Sequence, residues 1–409
     1  MRYRDPIPTF RAIYRFARRN MTAGGKACLF GMLCSLIGLV YLETPLLFLF
    51  CALFALLIAG AAASILLRPH LQISVIAPPT VLAGDTAELE VYLRNARSRP
   101  AYDLTISMVD LPDHCHLPNR LLPFVPEVPR KRVTRVGLAF QPEKRGVFSW
   151  PRVRITSAFP FNLFRFRQSQ RIDGELVVLP KHHPLHNFDL SRIIRAMLGS
   201  HAESTHRVGA SDQYFGNREY QPGITVRRWD YCSWARLGLP VIREYHHTQH
   251  QAVEIFTDTF PAAGADDERK FEAVVSLTMS LTHEVLRDNG MISSLSLGPQ
   301  KVSCTSDSIV EQADSVAIQL ALATPATPHA LSAMLQNEHE LITDAAVILA
   351  VFNGWDAERQ KLHRWLLTSG CAVKPIIVTT ANAGKLHDLP HAATCVSVES
   401  IEAGTVELD

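Results

Sequence analysis

The sequence predicts a two-helix transmembrane hairpin, then an antiparallel β-sandwich, then an α/β domain, and three observations carry that order. Two almost uninterrupted apolar runs follow a basic start. Short alternating segments then extend from Leu71 to about Pro180, and strands separated by helix-length amphipathic stretches begin at Ala252. With 409 residues, 47% hydrophobic and 20% charged, the chain can build two or three cores, which excludes a disordered tail and a highly charged nucleic-acid-binding protein.

The net charge of +2 is unevenly placed. Residues 1–26 hold Arg2, Arg4, Arg11, Arg15, Arg18, Arg19 and Lys26 against Asp5 alone, and the rest of the chain is net acidic. Apolar Ala27 to Leu42 follows, then the break Glu43-Thr44-Pro45, then apolar Leu46 to Leu67. The second run is about 33 Å long as a helix, enough for a hydrocarbon core of about 30 Å. The first, at about 24 Å, gains reach from a snorkelling Lys26. Arginines before the first run and Arg68 after the second place both ends on the cytoplasmic side. The expectation is therefore a multi-pass protein of the bacterial inner membrane with its soluble body in the cytoplasm. Residues 1–67 contact lipid, the first 26 as a basic amphipathic segment along the anionic leaflet. A cleaved signal peptide fits less well, because its core is only 7–15 residues long.

The hairpin occupies 27–67 and the β-sandwich 68–180. Leu71-Gln-Ile-Ser-Val-Ile, Ala87-Glu-Leu-Glu-Val-Tyr-Leu and Leu104-Thr-Ile-Ser-Met alternate as half-buried strands do, with turn residues between them. The α/β domain occupies 252–409. Strands are expected at Ala252 to Thr257, Ile292 to Leu297, Ala345 to Phe352 and Ala372 to Thr379, and helices at Asp267 to Asn289 and Asp356 to Thr368. Such a doubly wound sheet binds ligands beyond its strand ends, here near Asp258 and Asn353. The eight cysteines are scattered without a Cys-x-x-Cys pair, as in a reducing compartment.

Residues 181–251 link the halves. They contain Arg218-Glu219-Tyr220-Gln221-Pro222-Gly223, Arg227-Arg228-Trp229-Asp230-Tyr231, Ala235-Arg236 and Val241-Ile242-Arg243-Glu244-Tyr245. Together with Phe159-Pro160-Phe161-Asn162-Leu163-Phe164, this stretch resembles the bacterial family known as domain of unknown function 58, with the motifs in order along the whole chain. The resemblance implies a von Willebrand factor A-like fold for the last domain and a MoxR-type AAA+ ATPase as partner. It also implies that the signature residues Arg218, Glu219, Tyr220, Gly223, Arg227, Asp230, Tyr231, Ala235, Arg236, Arg243 and Glu244 matter as a group. Arginine forks pair with carboxylates and stack on rings, so the group either locks two domains together or presents a docking surface.

The chain departs from the family at the position of its metal. Members that hold one carry Asp-x-Ser-x-Ser after the first strand, where this chain has Asp258-Thr259-Phe260-Pro261-Ala262. One carboxylate and one threonine provide poorly for a hard cation, so the site at Asp258 is expected to be degenerate, with no metal and no cofactor. His283-Glu284 and His339-Glu340 lack the second histidine of a zinc helix, and no phosphate loop or nucleophile elbow is present. Three histidine groups, His114 with His116, His182 with His183 and His186, and His246 with His247 and His250, read as loop residues. A non-enzymatic membrane adaptor is expected. The alternatives are a metal-dependent ligand-binding or hydrolytic module centred on Asp258, and a purely structural envelope component.

Overall fold

The computed structural model describes residues 20–38, 44–118, 122–198, 213–220, 229–246, 252–261, 267–304, 306, 308–327, 330–336, 345, 347–368, 371–380, 388–390 and 392–408. The chain divides into two units, Met1–Leu179 and Pro180–Asp409. The basic segment before Asn20 lies outside the described residues.

The first unit opens with helices α1 (Ala23–Gly38) and α2 (Thr44–Leu66). Leu, Phe and Ala surround α2 on every side, so it has no polar face to turn toward water, and Phe48 and Ile65 expose about three-quarters of their surface. Pro45–Leu66 is long and apolar enough to cross a membrane, whereas the apolar stretch Ala23–Leu36 is shorter. The helices pack side by side: Ser35 Oγ donates to the Leu46 carbonyl at 2.9 Å, and Gly31 faces Leu53.

The strands of this unit are β1 (Leu71–Ile76), β2 (Thr80–Leu82), β3 (Ala87–Asn95), β4 (Ala101–Val109), β5 (Cys115–His116), β6 (Phe124–Val128), β7 (Val133–Pro142), β8 (Gly146–Ser149), β9 (Arg152–Ser157), β10 (Phe166–Gln170) and β11 (Glu175–Leu179). They form sheets ordered β1-β3-β7-β5, β10-β9-β4-β6 and β2-β11-β8. Alternation in β3 buries Leu89, Val91 and Leu93. Leu104 and Ile106 of β4 and Val153 and Ile155 of β9 join the same core, so both four-stranded antiparallel sheets share one apolar interior.

The loop Phe159 to Arg165, between β9 and β10, grips the feet of both helices. Leu163 O accepts from Thr22 N at 3.0 Å, Thr22 Oγ1 donates to Asn162 O, and Arg165 N donates to Asn20 O at 2.6 Å. Met21, Leu57 and Phe164 pack together beside this contact. A Cβ on Gly25 would collide with the Leu163 carbonyl, and one on Gly60 would stand 2.9 Å from Leu163 Cδ1, so glycine is what lets loop and helices approach. The Phe-Pro-Phe-Asn-Leu-Phe motif thus has a local role within the first unit.

The second unit comprises α3 (Leu190–Leu198), β12 (Gln213–Glu219), α4 (Tyr231–Leu237), β13 (Val241–His246), β14 (Ala252–Thr257), α5 (Asp267–Arg287), β15 (Met291–Leu297), β16 (Gln300–Ser303), α6 (Ile309–Leu322), α7 (Ala330–Gln336), β17 (Val347–Asn353), α8 (Ala357–Thr368), β18 (Ala372–Thr379), β19 (Thr394–Ser397) and α9 (Val398–Ala403). Its main sheet is ordered β16-β15-β14-β17-β18-β19. Every pairing is parallel except the antiparallel edge β15–β16. All seven residues of β17 are buried, which accounts for its unbroken apolar sequence. Strand order reverses between β14 and β17, so the carboxyl ends of these two strands flank the switch point of the sheet.

Candidate functional site: a closed strand end and a signature hairpin

Asp258 follows β14 directly and is fully buried. Its Oδ1 accepts from Phe260 N at 2.9 Å, and its Oδ2 accepts from Asn353 N at 3.0 Å and from Arg359 Nε at 2.8 Å. Arg359, only 2% exposed, comes from the first turn of α8. Its Nη2 donates to the carbonyls of Phe260 (2.9 Å) and Pro261 (3.2 Å), and its Nη1 donates to Asp356 Oδ2 at 2.6 Å. Asp356 also caps α8, its Oδ1 accepting from the Glu358 and Arg359 amides.

Burial pushes the Asp258 carboxyl above the ordinary carboxylate range, and Arg359 with the Asn353 and Phe260 amides pulls it back. Burial also opposes the charge on Arg359, but the Asp258 and Asp356 carboxylates outweigh it and hold the guanidinium above its usual value. The three contacts of Asp258 are all donors, so the pair is ionised.

These residues do not fit a hard divalent cation. Both Asp258 oxygens are committed to N–H donors, and a fixed guanidinium stands against the carboxylate. Asn353 Oδ1 is buried without a hydrogen-bond partner, but one such oxygen falls far short of the six or more that Ca²⁺ or Mg²⁺ requires. Thr259 is buried, and Ala262 lies outside the described residues. The sequence points to Asp258 and not to its partner Arg359. The spacing Asp356-x-x-Arg359 right after an apolar strand was the available signal, because it sets both side chains on one face of the first helical turn.

The signature builds a small hairpin. β12 pairs antiparallel with β13, with Arg218 opposite Ile242 and Asn217 opposite Arg243. Arg218 and Glu219 lie on β12, and Arg243 and Glu244 on β13, while Gly223 and Arg227 lie outside the described residues. Tyr220 N donates to Pro240 O and Asp230 N to Val241 O, both at 2.8 Å, which closes the base of the hairpin. Asp230 caps α4, accepting from Cys232 N at 3.2 Å, Ser233 N at 3.4 Å and Ser233 Oγ at 2.7 Å. Gly238 ends the helix in the left-handed conformation.

Four rings gather on this frame. Trp229 meets Tyr220 edge-on at 5.4 Å and Trp234 edge-on at 4.8 Å, and Tyr231 stacks on Trp234 at 6.3 Å. Tyr231, Ala235, Arg236 and Leu237 are exposed, with Tyr231 at 63% and Leu237 at 59%.

The histidine groups are scattered by the fold. His114 lies against Phe148, exposed His116 is 3.3 Å from Glu143, and His182 stacks on His283. His183 N donates to Ser280 Oγ at 3.0 Å, and His186 bridges to Glu407 through the backbone. His246 ends β13, and His247 and His250 lie outside the described residues. Among the described residues no group of three His, Cys, Asp or Glu is placed to hold a metal ion.

None of the curated proteins matches the chain. Among solved structures, the CARDB domain of the PF1109 protein from Pyrococcus furiosus, crystallised with di-metal ions, is 14% identical. The match covers 26% of this chain and 89% of that one, with a TM-score of 0.17. Salmonella alpha-2-macroglobulin reacted with methylamine is 15% identical over 31% of this chain and 10% of that one, with a TM-score of 0.20. Native alpha-2-macroglobulin from Escherichia coli, from domain MG7 to the C-terminus, is 12% identical over 74% and 53%, with a TM-score of 0.23. These likenesses are too weak to assign a fold or an activity. Residues 216–351, about a third of the chain, match the family described as protein of unknown function DUF58, which supports the family resemblance carried by the signature.

Proposed function

We propose that this chain is a non-enzymatic docking protein held in the bacterial inner membrane by a two-helix hairpin, with its soluble body in the cytoplasm. A partner binds at the exposed side chains of α4. The observation that carries this reading is the exposure of Tyr231, Arg236 and Leu237 on α4, together with a strand end already filled by the chain's own Arg359. A chemical step at Asp258 would need an accessible carboxylate, and its oxygens already accept three hydrogen bonds. The metal-dependent alternative centred on Asp258 therefore lacks support.

The sheet order, read from β14 as strand one, is 3-2-1-4-5-6 with an antiparallel third strand, which is compatible with a von Willebrand factor A-like domain. Following the family resemblance, we take a MoxR-type AAA+ ATPase as the partner. Tyr231 and Arg236, both exposed on α4, supply residue types that dominate interface hot spots.

The test is a photo-crosslinker at Tyr231 of the full chain in intact membranes, with the MoxR-type ATPase of the same genome co-expressed. Crosslinking to the ATPase that falls at least tenfold on Arg236→Glu is expected. Unchanged crosslinking with Arg236→Glu, or none with the native chain, would refute docking through this face.

A further inference from the structure

A cleft of about 580 Å³ lies at the carboxyl end of α2, within the first unit. Arg68, Arg154, Arg165 and Arg167 line it together with Ser64 and Ser169, and among the described residues no Asp or Glu lines it. Arginines gathered along one cleft raise its local potential and favour an anion that enters. The walls also orient the groups. Arg68 stands 4.5 Å over the Phe166 ring, and Arg154 Nε donates to Ser169 Oγ at 3.4 Å. Planar forks and hydroxyls are the donors that fit phosphate oxygens.

The position of the cleft selects the source of the phosphate. Part of its wall is the last turn of α2, where Ile65 is 75% exposed, so apolar surface ends where the arginines begin. A helix long enough to cross a bilayer places such a boundary at the depth of the lipid phosphates. We infer that this cleft binds the phosphate headgroup of an anionic membrane phospholipid. The inference rests on the membrane reading of α2 proposed above.

The experiment has two arms on the full chain. In the first, the chain is mixed with phosphatidylcholine vesicles, and sedimentation after alkaline carbonate reports insertion. A soluble chain would remove both the membrane reading and this site. In the second, native mass spectrometry of the detergent-solubilised chain follows titration with phosphatidylglycerol, phosphatidylcholine or inorganic phosphate. Phosphatidylglycerol is expected to be retained over phosphatidylcholine, with retention falling on the order of fivefold for each of Arg154→Gln and Arg167→Gln. Arg154→Lys keeps the charge and loses the fork, and is expected to fall between these; it also guards against a variant that fails to fold. Insertion without headgroup preference, or retention unchanged in the Gln variants, would overturn the site while leaving the anchor intact. Tight binding of inorganic phosphate with no lipid preference would overturn the lipid assignment.

Discussion

Arg359→Ala gives the most direct test of the closed strand end. The substitution leaves Asp258 fully buried with two amide donors and no counter-charge, and strips donors from the carbonyls of Phe260 and Pro261. Breaking one partner out of a buried pair costs about 3–5 kcal/mol, or two to four decades in the opening equilibrium of the second unit. Hydrogen exchange of the Ile255, Phe256 and Val351 amides in the detergent-solubilised full chain reads that opening directly. The sign with pH is fixed by Asp258, whose carboxyl is already raised by burial and rises further without Arg359. A folded-state acid with a raised value holds its proton more tightly than the unfolded chain does. The defect should therefore shrink as pH falls toward the ordinary carboxylate range and grow as pH rises. Removing both charges, as in Asp258→Leu with Arg359→Met, should recover most of the loss. Millimolar Mg²⁺ should not rescue the single variant, because the oxygen ligands are too few. A loss under about 1 kcal/mol would refute the reasoning, as would full rescue by Mg²⁺.

Three further outcomes are expected. Gly25→Leu should destabilise the helix foot by about 1–3 kcal/mol, since the new side chain must displace the Leu163 carbonyl; faster proteolysis within Phe159 to Arg165 would show it, and unchanged cleavage would count against the clamp. Asp230→Ala should cost about 1 kcal/mol by uncapping α4 and should speed amide exchange at Cys232 and Ser233. His363, buried beside Phe352 and Trp355, has its imidazole pushed below the ordinary 6.5 by burial, so the unfolded chain binds that proton more readily. The second unit should lose stability as pH falls through about 6.5, and His363→Leu should flatten the slope of melting temperature against pH in that window.

The four inner strands of the main sheet and helices α5 and α8 were legible because periodicity and length signal them, whereas α6, α7, β19 and α9 were not expected. The apolar run from Ala345 became β17, and the amphipathic run from Asp267 became α5. The edge β16, with its polar sequence Gln-Lys-Val-Ser, gave no such signal, because an edge strand needs no apolar face. The signature was legible as a group of residues but not as a shape. The Asp230 cap is a contact over two and three positions, whereas bringing Tyr220 to Trp229 depends on closure against Pro240 and Ile242, which spacing alone does not encode. The spacing Asp356-x-x-Arg359 marks the arginine, but not its partner Asp258, which lies 101 positions away and is brought to it by the parallel pairing of β14 with β17.

The clamp at Thr22 and Leu163 has a mechanical corollary. Four residues separate the end of α2 from the start of β1, and the loop between β9 and β10 holds both helices at their base. No slack tether is left to absorb motion, so any tilt or twist imposed on the helices is carried whole into the strands. Strain in a surrounding bilayer would then reach the β-sheets as a lever's swing, without a hinge to dissipate it.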